Sequence, residues 1–223
     1  MKLTQPDLGS CEIKQGTGAY FQSPFPERIH LVVMGKDPFP NASTAVPFCK
    51  PCWKQQFRDN SSGKHVLNSL GITQGAAEDR FETPRELFEA LRHIGVIFLN
   101  ASYEPVEGSL QKRRDRRAMD DAFRINEQFL TPAKAVVFCG EARRVRWILP
   151  QTLCERSYDA VHPDVRNRAN LKTRDEWRNW WEYHRLADRF ELPVIDLLQA
   201  TTKAQAARVA VVSPTPSRLR RPG

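Results

Sequence analysis

Three short apolar, β-branched runs in this chain each end abruptly in a polar residue capable of chemistry. Ile29-His30-Leu31-Val32-Val33-Met34 runs into Gly35-Lys36-Asp37-Pro38-Phe39-Pro40, Val96-Ile97-Phe98-Leu99 ends at Asn100, and Ser157-Tyr158-Asp159-Ala160-Val161 ends at His162-Pro163. Such runs read as strands at about 29–34, 95–100 and 157–162. Further strands are predicted at 134–139 and 193–197. Helices are predicted between them, around 64–70, 83–93, 117–130, 140–147 and 173–189. Thr83-Pro84-Arg85-Glu86 is a strong helix start, with Thr at N-cap, Pro at N1 and Glu at N3. Strands alternating with helices predict an α/β fold, a single-domain three-layer α/β/α arrangement around a central, mostly parallel four- or five-stranded sheet. Ligands of such sheets bind outside the carboxyl ends of the strands. An Asp, an Asn and a His delivered to that edge would make a site.

The chain has 223 residues, enough for one domain with a sizeable core. Residues 1–27 read as a Pro-containing lead-in and 28–201 as the α/β domain. Residues 202–223 contain no acid and five basic residues, which reads as a basic, disordered tail. The segment 35–63, rich in Pro, Asn and Ser, reads as a long functional loop. A second polar, basic loop is predicted over 101–116, ending in Lys112-Arg113-Arg114-Asp115-Arg116-Arg117. The net charge of +8 and pI near 9.5 favour an acidic partner, nucleic acid being the simplest, although a basic solvated surface gives the same composition. With no long apolar run and no apolar signal core, the chain is expected to be cytoplasmic (nucleoid-associated in a bacterium) and monomeric, without a membrane partner.

Five cysteines in such a compartment are expected to be reduced thiols. Cys49-Lys50-Pro51-Cys52 has metal-ligand spacing, but no metal or other cofactor is expected. The Trp177, Trp180, Trp181 stripe, with His184 one turn on, has the helical spacing of a buried face.

The motifs resemble those of the uracil-DNA glycosylase superfamily, nearest its family-1 type. Gly35-Lys36-Asp37-Pro38-Phe39 is similar to the GQDPY water-activating motif, Gly95-Val96-Ile97-Phe98-Leu99-Asn100 to the GVLLLN uracil-reading strand, and His162-Pro163 to the start of HPSPLS. They occur in the family's order, and the resemblance spans about residues 28–170. It implies a monofunctional, metal-independent enzyme that hydrolyses the N-glycosidic bond of deoxyuridine in single- or double-stranded DNA.

Under that resemblance Asp37 is the carboxylate that orients or deprotonates water and stabilises the cationic sugar. His162 is the donor to uracil O2 as charge develops there. The amide of Asn100 matches uracil O4 and N3–H. Phe39 stands where the family has Tyr and would exclude thymine's methyl. Phe48 is the ring that would stack on the flipped base. Lys36 replaces the family's Gln, where it would lower the pKa of Asp37 or contact phosphate.

The residues alone also allow Asp37 as a turn aspartate, Asn100 as a strand cap and His162 as a structural histidine. DNA contacts are expected from Ser43, Thr44, Arg113, Arg114, Val165, Arg166 and Arg168. The segment Asp164-Val165-Arg166-Asn167-Arg168 departs from the family's leucine wedge. Weak extrusion would bias the enzyme toward single-stranded or mispaired uracil. The alternatives are a weakly active member that binds uracil-containing or abasic DNA, and a glycosylase for another deaminated base such as hypoxanthine.

Overall fold

The computed structural model describes residues 19–22, 26–36, 44, 46–103, 111–194 and 197. Strands β1 (Leu31–Gly35), β2 (Val96–Asn100), β3 (Val136–Cys139) and β4 (Ser157–Ala160) form one open sheet in the order β2-β1-β3-β4. Every pairing is parallel. The first three strands are buried along their whole length, as the near-continuous apolar runs require of a sheet covered on both faces. Exposed Tyr158 and Asp159 mark β4 as an edge, where a charged side chain discourages further strand addition.

The opposite edge is closed by α1 (Ala19–Gln22). The Phe98 N–H on the open side of β2 donates to the buried hydroxyl of Tyr20, 3.0 Å away. With β2 on one side of β1 and β3 on the other, right-handed crossovers put the two connections on opposite faces of the sheet. The first holds α2 (Trp53–Gln56), α3 (Ser62–Ser69), α4 (Gln74–Glu78) and α5 (Pro84–His93); the second holds α6 (Gln111–Leu130). In α5, Thr83 Oγ1 accepts from the Glu86 N–H, the Glu86 carboxylate accepts from the Glu82 N–H, and Leu87, Phe88 and Leu91 are buried.

Beyond β3 the chain runs through a 3₁₀ segment (Gly140–Ile148), α7 (Gln151–Cys154), β4, α8 (Val165–Ala169), α9 (Arg174–Trp181) and α10 (Arg185–Arg189). Trp177, Trp180 and Trp181 are buried, as their spacing predicted. Among the described residues, no helix is long and apolar enough to cross a membrane.

Four boundaries differ from the sequence reading. Among the described residues of 193–197 no strand forms: the Leu197 N–H donates to Pro193 O, and Val194 and Leu197 are helical. Pro193 opens a helical turn, where its missing N–H costs nothing. The single helix expected over 173–189 is two, because His184 takes φ 65°, and its N–H donates to Asn68 O rather than continuing α9. The 140–147 helix is 3₁₀ rather than α. Helix α6 starts at Gln111, six residues earlier than expected, because Gln, Lys and Arg, the residue types of the basic run, have high helix propensity.

Gly95 turns the chain into β2 at φ +84°, and its carbonyl accepts from both His30 and Leu31 N–H at the start of β1. An added Cβ would collide with the Arg28 carbonyl. Gly95→Ala should therefore lower the urea midpoint, with a loss greater than about 1 kcal/mol.

Candidate active site

The carboxyl ends of β1 and β2 are locked together. Gly35 pairs with Asn100, Gly35 O accepts from Ala101 N at 2.8 Å, and Lys36 O accepts from Ser102 N at 2.8 Å. Asn100 is only 5 % exposed. Its backbone carbonyl accepts from Asn126 Nδ2 at 2.8 Å, while Asn126 Oδ1 accepts from the Tyr103 hydroxyl at 2.7 Å. Both partners are buried, so the polar atoms that fix this strand end satisfy one another. The Asn100 carboxamide turns toward β1: a Cβ built on Gly35 would lie 2.9 Å from Asn100 Oδ1 and 3.2 Å from Phe48 Cζ. Glycine keeps this space open between an amide and an aromatic ring.

Phe48 reaches the space from the long loop, with φ at 65°, a left-handed conformation costly for a bulky residue. Buried Gln56 holds it there, accepting from Lys50 N at 2.8 Å and donating to Phe48 O at 3.3 Å. Gly63 packs against the same carbonyl so closely that a Cβ would collide with it. The Phe48 ring lies 6.4 Å from Phe98, edge-on, and 6.5 Å from the His162 imidazole, tilted by 39°. One ring thus bridges the Asn100 end of the site to the His162 end.

His162 follows β4. The backbone on either side of it is tied down: Trp181 Nε1 donates to Val161 O at 2.7 Å, and Asn167 Nδ2 donates to His162 O at 2.9 Å. Gly140, at φ +56° after β3, lets the histidine pack tightly; a Cβ there would stand 3.1 Å from His162 Cβ. Burial, reinforced by Arg166 and opposed by Asp164, holds the imidazole below its usual pKa. It is therefore neutral at pH 7 and has one N–H to donate.

His162 lines an open cleft of about 420 Å³ with Lys36, Gly140, Arg143, Asp164 and Arg166 among its walls. Of the four carboxylates lining it, Glu141 pairs with Arg144, Asp159 with Arg146 at 3.0 Å, and Asp164 with Arg166 at 2.8 Å, while Glu176 has no ion pair among the described residues.

The structure thus brings Lys36, Phe48, Asn100 and His162 to one edge. Asp37, Phe39 and Ser43 lie outside the described residues, as do the side chains of Arg113 and Arg114 in the first turn of α6. Thr44 is engaged within its own loop, where its hydroxyl hydrogen-bonds Val46 O at 3.1 Å and Cys49 O at 3.2 Å. The segment after His162 is a short helix. Asp164 caps it by accepting from Arg166 N and grips the Arg166 guanidinium with both oxygens, which holds the carboxylate below its ordinary range. Val165 occupies the first, half-buried position of that helix, and Arg168 lies over the Trp177 ring at 5.5 Å.

Cys49 is buried with its thiol pushed up to about 12, and Cys139 is buried within β3. Among the described residues, no group of three or more His, Cys, Asp or Glu side chains gathers to hold a metal.

The sequence reading missed Asn126 and Gln56. The first had a signal: with Ala118, Ala122 and Phe129 it falls in the buried stripe of α6, where a polar residue demands a partner. Gln56, in a polar stretch, had none.

Neither the protein-family models nor the curated proteins contain a match to this chain.

Burial lowers the pKa of His30 and His65 as well as His162. Just below the ordinary value of 6.5 the unfolded chain then binds more protons than the folded one, so stability is lost as pH falls through that region. The melting temperature should drop between about pH 7.5 and 5.5, and His162→Gln should flatten that dependence. A melting temperature that rises on acidification over this range would contradict the assignment.

Proposed function

We propose that this chain is a uracil-DNA glycosylase, hydrolysing the N-glycosidic bond of deoxyuridine in DNA to leave an abasic site. The observation that carries the reading is the convergence of an amide (Asn100), an aromatic ring (Phe48) and a neutral imidazole (His162) around Gly35 and Lys36 at the carboxyl edge of the sheet. Those are the chemical groups that reading, stacking and activating a flipped uracil requires. Asp37 comes next in the sequence after Lys36.

In this reading, Asn100 accepts from uracil N3–H and donates to O4, an arrangement that cytosine, with its pattern reversed, does not satisfy. Phe48 stacks on the base. Water attacks C1′ as the C1′–N1 bond breaks, Asp37 takes its proton and stabilises the oxocarbenium-like sugar, and His162 donates to O2 as uracil leaves as an anion. A neutral imidazole suits that role, since it donates a hydrogen bond without carrying charge to the site beforehand.

The Asp164–Arg166 pairing bears on substrate form. An arginine gripped by its neighbour and a half-buried valine make a poor wedge, which favours single-stranded or mispaired uracil over a U:A pair.

The test is alkali cleavage of an oligonucleotide carrying one uracil, as a single strand and in U:G and U:A duplexes, with EDTA present. The wild type should give alkali-dependent cleavage, fastest on the single strand. Asp37→Asn should slow it by at least about 10²-fold, as expected for loss of a group that stabilises the transition state. Wild-type protein that leaves uracil in place in every substrate refutes the reading, and binding without release would favour a non-catalytic uracil-DNA binder.

A further inference from the structure

Helix α6 runs antiparallel to the strands it joins, so its first turns lie at the same sheet edge as the cleft. The 3₁₀ segment leaves that edge directly from β3 and packs on α6. Where they meet, Trp147 is 48 % exposed, unusual for so large an apolar surface in a chain whose other four tryptophans are buried or half-buried. The Arg116 guanidinium lies 4.0 Å from the centre of its ring. Arg117, Arg143 and Arg144 are exposed on the same two elements, and Arg143 also lines the cleft. The one acid of the 3₁₀ segment, Glu141, is paired with Arg144.

An exposed indole with one arginine over its ring and further exposed arginines on the same two elements, linked through Arg143 to a cleft where three of four lining carboxylates are paired, fits one class of partner. It is a single strand of nucleic acid, with phosphates that meet the guanidinium groups and an unpaired base that stacks. We infer that the Trp147 shelf, formed by Arg116, Arg117, Arg143 and Trp147, binds the strand flanking the cleft, with Trp147 stacking a base outside the reaction centre. The inference deepens the proposed function, resting on its nucleic-acid substrate but not on its chemistry. A duplex keeps its bases stacked on one another and offers Trp147 nothing to stack on, so the shelf discriminates single strands from duplexes.

The test is fluorescence anisotropy of a labelled, uracil-free oligothymidine and of a hairpin duplex with full-length protein. Trp147→Ala should weaken single-strand binding about five- to tenfold and duplex binding less than about twofold, and Trp147→Phe should retain most of the affinity. Arg143→Gln should weaken both and lower the salt dependence by about one counterion. The inference is overturned if Trp147→Ala binds the single strand as tightly as the wild type does, if its losses on strand and duplex are equal, or if the wild type does not bind the strand. Uracil release measured on the matching uracil-containing strand separates the two proposals. Trp147-dependent binding without release removes the glycosylase and keeps the shelf; release without Trp147 dependence removes only the shelf.

Discussion

The pairing of Gly35 with Asn100 is the constraint on which the rest of the arrangement depends. Strand β1 is hydrogen-bonded on both sides, to β2 and to β3, and is buried along its whole length. A one-residue slip in a sheet covered on both faces would exchange every side chain between faces. The register is therefore strongly specified, and the two strands end level with one another. Because they do, the backbone just past Gly35 is pinned by Ala101 and Ser102, and the Asn100 carboxamide faces the one residue in β1 that has no side chain. A larger residue at position 35 would fill the space that the amide and the Phe48 ring enclose.

Around that fixed edge, polar groups are held by buried or half-buried partners rather than by surface contacts. Asn126 ties the Asn100 carbonyl to Tyr103, Gln56 ties the Phe48 loop at two backbone atoms, and Trp181 and Asn167 tie the turn that carries His162. Each would cost stability if it lost its partner, since a buried donor or acceptor left unmade carries its full desolvation penalty. The left-handed Phe48 persists because such surroundings over-determine it. The site is preorganised by the same bonds that close the core around it.

How much of this was legible in the sequence follows from which interactions were local. The strand ends were legible because β-branched runs, and the polar residues that stop them, lie in adjacent positions. The start of α5 was legible because its cap is written within four residues. The break at His184 was not, because it depends on Asn68 and Gly71, which are more than a hundred residues away in the chain. The same holds for Pro193, where tertiary context chose a helical turn over a strand. In the site, the residue types were readable but their supports were not: nothing around Gln56 announces that it will close on Phe48. Asn126 was readable in principle, as a polar interruption of an apolar helical stripe. The tryptophan stripe was read as core, and it is core, yet Trp181 also positions the backbone beside His162.

Charge follows a comparable logic. A net charge of +8 says little by itself, since a solvated basic surface produces it too. What matters is where the compensating acids go. At the cleft, Glu141, Asp159 and Asp164 are each engaged by an arginine, which mutes their repulsion of an approaching phosphate, and of the lining acids only Glu176 has no ion pair among the described residues. These pairs are at least partly exposed, so each contributes little to stability. Their effect falls on which ligands approach. In the proposed reading a polyanion would meet mostly paired carboxylates and the exposed arginines of α6 and the 3₁₀ segment at the same edge. A small neutral molecule would gain nothing from that arrangement, so under the proposed function the electrostatics and the strand-end chemistry favour the same kind of ligand.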